Sequence, residues 1–244
     1  DSMTLSTLFR GLPSLFNFEL TKTIPECIHA ADAGRLIEPY LNIIKAYQSA
    51  GVPFEDAILL SNHDMNRIRS TLGGDIQKTK LAAAILLTLP GTPYIYYGEE
   101  IGMLGIKPDI HLREPFLWEE DPLKDTRWQK STYSVRPDVE SLEIQMADPN
   151  SIYHHYKKWI SLRNAYPELA SGTPLFQNLQ NNAILAWIIR EKKKSIWVIH
   201  NLSATEITLP FKDKAEIVSE AKQVQVADKL ILAPLSSALI RMGK

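Results

Sequence analysis

The spacing of apolar and polar positions changes along this chain, and each change marks an element. In "LIEPYLNIIKAYQSA", 36–50, residues Leu36, Ile37, Tyr40, Leu41, Ile44 and Tyr47 share one side of a 3.6-residue period, and Gly51 follows. That pattern predicts an amphipathic helix with a glycine stop. "AILLS", 57–61, is a short unbroken apolar run and predicts a buried strand. "GGDIQKTKLAAAILLTLPG" predicts a second helix, with Asp75 as its N-cap and Pro90-Gly91 as its end. "PYIYY", 93–97, predicts another buried strand before Gly98-Glu99-Glu100. Neither strand alternates apolar with polar, so both are expected to be covered on two faces, as in parallel βαβ units.

From about 101 to 150 the pattern is irregular and includes "HLREPFLWEEDP". Loops of that length are uncommon unless they are functional or disordered. Residues 151–166 return to helical spacing, with Ile152, Tyr153, Tyr156, Trp159, Ile160 and Arg163 on one face and Pro167 at the end. After about 172 the runs "NNAILAWIIRE", "KSIWVIHNLS", "TEITLPF", "AEIVSEA" and "KLILAPLSSALIRM" are short, β-rich and separated by polar turns. They predict an antiparallel sandwich or barrel. The boundary falls in "SGTP", giving an α/β region at 1–172 and an all-β region at 173–244. Trp128, Trp159, Trp187 and Trp197 are expected in the core.

Composition narrows the function classes. The 244 residues suit one large domain or two ordinary ones, and 45% hydrophobic with 23% charged residues is an ordinary globular balance. A net charge of −1 leaves no electrostatic footprint for nucleic acid or an anionic membrane surface. The apolar run "LAAAILLTLP" is far short of the ~20 residues a membrane span needs. The single cysteine, Cys27, excludes an internal disulfide framework and is expected to fill space inside a helix. The opening "DSMTLSTLFR" has no initiator Met and no signal-peptide pattern, which suggests processing, truncation or a fragment and leaves localisation open.

The candidate chemistry sits where the strands end. Ser61, Asn62, His63 and Asp64 follow the first strand, with Asn66 and Arg67 just beyond. In parallel α/β folds ligands bind beyond the carboxyl ends of the strands. Both 62–64 and 98–100 occupy that position, and paired carboxylates without a metal or phosphate motif point toward glycoside chemistry. Each residue also has a structural alternative. Asp64 acts on a ligand or N-caps the next segment. His63 meets a ligand or is structural, and Asn62 bonds a sugar or holds the turn. Arg67 braces a carboxylate bidentately or is a surface charge on a first helical turn. Trp118 and Phe116 stack on a sugar ring or pin the long loop. On residue types alone, Asp64 with Glu99 or Glu100 reads as a retaining pair about 5 Å apart.

The strings "LLSNHDMNR" and "LTLPGTPYIYYGEEIGM" strongly resemble the α-amylase family of retaining glycoside hydrolases. The resemblance implies the C-terminal part, about strands 6–8, of a (β/α)8 TIM barrel followed by a β-sandwich. "SLFNFEL", 14–20, resembles the sixth strand, and "NHD" ends the seventh. It implies that Asp64 is the carboxylate that accepts hydrogen bonds from sugar hydroxyls next to the reacting carbon. It implies a substrate contact for His63, and gives neither Glu99 nor Glu100 the part of nucleophile or acid. Those two residues would orient neighbouring loops or bind charge at the barrel mouth. The family's nucleophile and general acid end strands four and five, so both are expected upstream of residue 1.

The complete enzyme would then act on α-1,4-linked glucans or malto-oligosaccharides. This chain alone would be inactive, and would self-associate or sit against the missing N-terminal half of the barrel. Oligo-1,6-glucosidase, trehalose synthase and non-catalytic glycan- or protein-binding relatives remain alternatives. No cofactor or metal is expected within the chain, because the family's usual calcium site involves an inserted domain not found here. Calcium is left to the complete enzyme.

Overall fold

The computed structural model describes residues 6–121, 123–126, 128–191, 194–210, 215–219, 223–226 and 228–242. The first strand, β1 (Ser14–Asn17), is shorter than "SLFNFEL" suggests. Asn17 Oδ1 accepts the Leu20 amide at 3.3 Å, which turns the chain into helix α1 (Leu20–Ala30). Cys27 is buried within α1, and burial pushes its thiol up to about 12. Helix α2 (Gly34–Gln48) buries Leu36, Tyr40, Ile43 and Tyr47. Its buried stripe therefore includes Ile43, while Leu41, expected on that face, is exposed.

Strand β2 (Glu55–Leu59) is followed by the short helix α3 (Ile68–Thr71) and by α4 (Ile76–Thr88). Asp75 caps α4, its Oδ1 accepting the amides of Gln77 and Lys78 at 2.8 and 3.0 Å. Residues from Leu81 to Thr88 are buried without a break, as befits a helix with neighbours on all sides. Strand β3 (Thr92–Tyr94) stops three residues before the expected end. Gly98, at φ 87°, opens the turn beyond it.

The three strands form one parallel sheet in the order β1-β2-β3. Central β2 is buried from Asp56 to Leu59, as a strand covered on both faces should be. The flanking strands differ from that expectation. Phe16 and Tyr94 are 45% and 48% exposed, their rings 4.9 Å apart on an open face. Among the described residues β2 lies between two neighbours, while β1 and β3 are sheet edges.

The irregular stretch is tied down by a buried carboxylate. Glu114 is fully buried and accepts the amides of Thr132, Tyr133 and Ser134 at 2.7, 3.0 and 2.8 Å. Helices α5 (Leu142–Ala147), α6 (Ile152–Ala165) and α7 (Glu168–Ser171) follow. Helix α6 buries Ile152, Tyr156, Trp159 and Arg163. Arg163 donates to the carbonyls of Leu87 and Leu89 at 2.8 and 2.9 Å, and also to that of Gly91. A cation thus serves the free carbonyls at the end of α4.

The remaining strands are β4 (Leu175–Phe176), β5 (Ile184–Glu191), β6 (Lys194–Asn201), β7 (Ile207–Pro210), β8 (Ala215–Ile217), β9 (Gln223–Val226), β10 (Lys229–Leu232) and β11 (Ser236–Met242). They make two antiparallel sheets, β4-β5-β6-β11-β8 and β7-β10-β9. Period-two alternation sends Ile184, Ala186, Ile199 and Ile240 toward Leu209, Leu230 and Leu232 of the smaller sheet. Leu185, Trp187, Ile189 and Val198 join the core of α4 and α6. Trp159 and Trp187 are core residues and Trp197 packs partly buried, but Trp128 is 64% exposed. Its polar surroundings, "KDTRWQKST", provide no apolar face to bury it. Among the described residues no helix is long and apolar enough to cross a membrane.

Candidate active site

After β2 the backbone stays buried through Leu60 and Ser61, then emerges. Asn62 Oδ1 accepts the amide of Asp64 at 2.8 Å, a side-chain-closed turn that fixes the loop locally. The turn-holding alternative for Asn62 is thus realised in the geometry. His63 and Asp64 project outward, with side chains 60% and 57% exposed. His63 Nε2 lies 3.2 Å from Asp64 Oδ2. Asp64 does not cap a helix. Its Oδ1 instead accepts from Arg113 Nη2 at 3.0 Å, and the same nitrogen reaches Asp109 Oδ2 at 3.2 Å.

Arg113 lies 49 residues from Asp64 in the chain. It belongs to the "REPFLW" stretch, whose aromatic residues were the sequence candidates. The pair is exposed, so it orients more than it stabilises. Trp118 is half-exposed, its ring 4.4 Å from Phe116. Phe116 packs against the buried cluster of Ile101, Met103 and Val139, so it pins the loop while Trp118 stays open to solvent.

Arg67 is not the surface charge allowed for it. It is fully buried, and its guanidinium lies 4.7 and 4.8 Å from the ring centroids of Tyr96 and Tyr97. Nη1 donates to the Tyr97 carbonyl at 2.7 Å, and the backbone amide donates to the Gly105 carbonyl at 3.0 Å. Among the described residues it makes no bidentate carboxylate pair, and Nε and Nη2 have no hydrogen-bond partner. Burial lowers its pKa from the ordinary arginine value.

Glu99 is 1% exposed and cannot present its carboxyl to a ligand. Ser61 Oγ donates to its Oε1. Burial pushes its pKa up to about 8, against the opposing pull of Ser61 and Arg67. Burial also raises Glu100. Neither residue suits the retaining pair that residue types alone suggest. Among the described residues no group of three or more His, Cys, Asp or Glu could hold a metal ion. The exposed carboxylate, imidazole and guanidinium at the strand end form a donor–acceptor set suited to a hydroxyl-rich ligand.

Comparison with known proteins adds to this geometry. "Alpha-amylase 3" of Dictyoglomus thermophilum is 37% identical over 98% of this chain and 49% of its own length. "Alpha-amylase SusG" of Bacteroides thetaiotaomicron is 34% identical over 96% of this chain and 36% of its own. The crystal structure of an alpha-amylase from H.orenii superimposes with a TM-score of 0.89 at 30% identity, covering all of this chain and 52% of that one. The chain thus spans about half the length, or less, of these relatives. Other relatives are named 4-alpha-glucanotransferase and oligo-1,6-glucosidase. Residues 14–172, which hold the parallel sheet and the Asn62–Asp64 loop, match the family model described as "Alpha amylase, catalytic domain", and the chain belongs to that family.

Proposed function

We propose that this chain supplies strands six to eight of a (β/α)8 catalytic barrel, followed from residue 173 by a β-sandwich domain. The enzyme it completes cleaves α-1,4-linked glucans or malto-oligosaccharides by a retaining mechanism. The observation that carries this reading is the exposed Asp64, with His63 and Arg113 beside it, just beyond the central parallel strand. Asp64 neither attacks nor protonates. It accepts hydrogen bonds from sugar hydroxyls next to the reacting carbon. As positive charge develops on the ring those hydroxyls become better donors, so the bonds strengthen most in the transition state. His63 donates to a hydroxyl in the same subsite. Asn62 holds the turn that aims both residues, Arg67 supports the loop from beneath, and Trp118 offers a stacking face for a pyranose.

The nucleophile and general acid are assigned to a complementary segment outside these residues. The open face around Phe16 and Tyr94 supports such a partner. On this reading the chain alone hydrolyses nothing and self-associates through that face. A monodisperse, cooperatively melting monomer of this chain would contradict the half-barrel assignment. Calcium, where the complete enzyme binds it, is assigned to residues outside this chain.

Replacing Asp64 by Asn in the complete enzyme should lower kcat on a malto-oligosaccharide by about 10³-fold with the fold retained. Turnover near the parent value would remove the role given to Asp64. The relatives named as a glucanotransferase and a glucosidase favour transglycosylation or 1,6-bond cleavage as a second reading. Incubation with a malto-oligosaccharide and with isomaltose separates them: 1,4-hydrolysis releases reducing ends from the first, 1,6-cleavage from the second, and transfer changes linkage or chain length without net release of reducing ends.

A further inference from the structure

The loop carrying Asn62, His63 and Asp64 is open to solvent, but its two ends are sealed. Ser61, immediately before it, is 2% exposed and donates its hydroxyl to Glu99 Oε1. Arg67, just after it, is fully buried and donates Nη1 to the Tyr97 carbonyl at 2.7 Å. Both anchors reach the same short turn after β3. That turn is itself closed: the Glu99 amide donates to the Tyr96 carbonyl at 3.0 Å, and the Met103 amide to the Gly98 carbonyl at 2.8 Å. Gly98 has positive φ, and a Cβ there would run into Met103 Sδ and lie 3.1 Å from Arg67 Nη1.

We infer that Glu99 and Arg67 are positioning residues that clamp the Asn62–Asp64 loop from its two ends onto the turn after β3. The inference takes its functional meaning from the role proposed for Asp64, but its test does not use activity. Glu99 suits the task because it is held neutral, its pKa pushed up to about 8. A neutral carboxyl accepts the Ser61 hydroxyl without placing a bare charge in a sealed site. The groups around it are Arg67 from the loop before α3, Tyr96 and Glu100 from its own turn, and Tyr156 from α6. Arg67 favours the charged form, Glu100 opposes it, and burial outweighs both. As Glu99 ionises in alkaline solution, an anion appears where Oε2 has no hydrogen-bond partner, and the clamp loosens.

Hydrogen–deuterium exchange on the complete enzyme tests this, with protection factors compared for peptides spanning 61–67 and, as control, 76–88. Ser61→Ala and Glu99→Ala should each cut protection of 61–67 by about tenfold at pH 7, leaving 76–88 within about threefold. Glu99→Gln keeps an acceptor oxygen for Ser61. The parent should lose protection of 61–67 between pH 7 and 9, and Glu99→Gln should match it at pH 7 and abolish that decline. Unchanged 61–67 protection in Ser61→Ala would overturn the clamp, and this variant decides alone if Glu99→Ala does not fold. Equal loss in both peptides, or a Glu99→Gln profile matching the parent at every pH, would also overturn it. An Asp64→Asn enzyme with full turnover would remove the catalytic reading and leave the clamp standing.

Discussion

Glu99, at the mouth of the parallel sheet, and His200, on β6 of the five-stranded sheet where it meets α4, are both sealed from water, yet their surroundings differ. Burial drives each toward its neutral form, Glu99 up to about 8 and His200 down to about 3. His200 has a partner for each ring nitrogen. Nδ1 lies 2.7 Å from Ser237 Oγ, Nε2 lies 3.3 Å from Thr88 Oγ1, and the ring packs 5.1 Å from that of Trp187. Around Glu99, by contrast, its own Oε2, Arg67 Nε and Nη2, Glu100 Oε2 and the Tyr156 hydroxyl are all buried without partners. Buried polar groups in a purely structural core are normally paired. His200 follows that rule, although Trp187 Nε1 beside it is buried without a partner; the strand-end site gathers five such atoms, and that concentration is where a functional demand on geometry would be felt.

The comparison can be broken most directly at the junction. Trp187→Ala, made in the complete enzyme, removes a fully buried ring and should lower unfolding stability by about 3–5 kcal/mol, read from urea titration. A loss below about 1 kcal/mol would mean that the two halves do not share a core.

A smaller effect comes with acid. His200 has a folded-state pKa of about 3 against an ordinary 6.5. Its contribution is therefore complete above pH 6.5 and is lost as pH falls toward 3, on the order of 3 kcal/mol between pH 7 and 4. The pH slope of stability should flatten in His200→Gln, and an unaltered slope would contradict the assignment.

The parallel sheet should respond with the opposite sign. Asp56, on central strand β2, is buried with a pKa pushed up to about 6 from 3.8, and Asn17 Nδ2 donates to its Oδ2 at 2.9 Å. Stability from its neutral form is complete below pH 3.8 and lost as pH rises through 6. Asp56→Asn keeps an acceptor for Asn17. It should gain about 2 kcal/mol on the parent between pH 4 and pH 8, measured by the same titration. Falling pH thus weakens the junction, while rising pH through 6 weakens the sheet. Asp75→Ala, which uncaps the helix shared by both regions, should cost only about 1 kcal/mol in thermal or urea unfolding. It should leave the two opposing pH slopes in place.

The local pattern was legible where cause and effect lie close in the chain. Asp75 caps α4 because its side chain reaches amides two and three residues on. The emergence of Asn62, His63 and Asp64 could be read because four polar residues follow an apolar run. The stripe on α2 is shifted from Leu41 to Ile43, since its apolar residues cover an arc wider than the buried side and the neighbours choose which edge of that arc is covered. Trp187 and Trp128 are the same residue with opposite fates. The first stands in an alternating strand that faces α4 and α6, and the second in a polar loop with no partner face.

By itself the sequence determined the helix–strand–helix–strand order from 36 to 97, the helix at 151–166, the change to short β runs after 172, and the family, because these rest on local periodicity and on contiguous strings. Only the tertiary structure decided that Arg67 is buried against two tyrosines, that Arg113 rather than a nearer residue pairs with Asp64, and that Glu99 is sealed onto Ser61. Those contacts join positions 30 to 49 residues apart. Nothing local specifies them: they arise where parallel strands bring distant loops to one end of a sheet, and burial there sets the charge state that each side chain keeps.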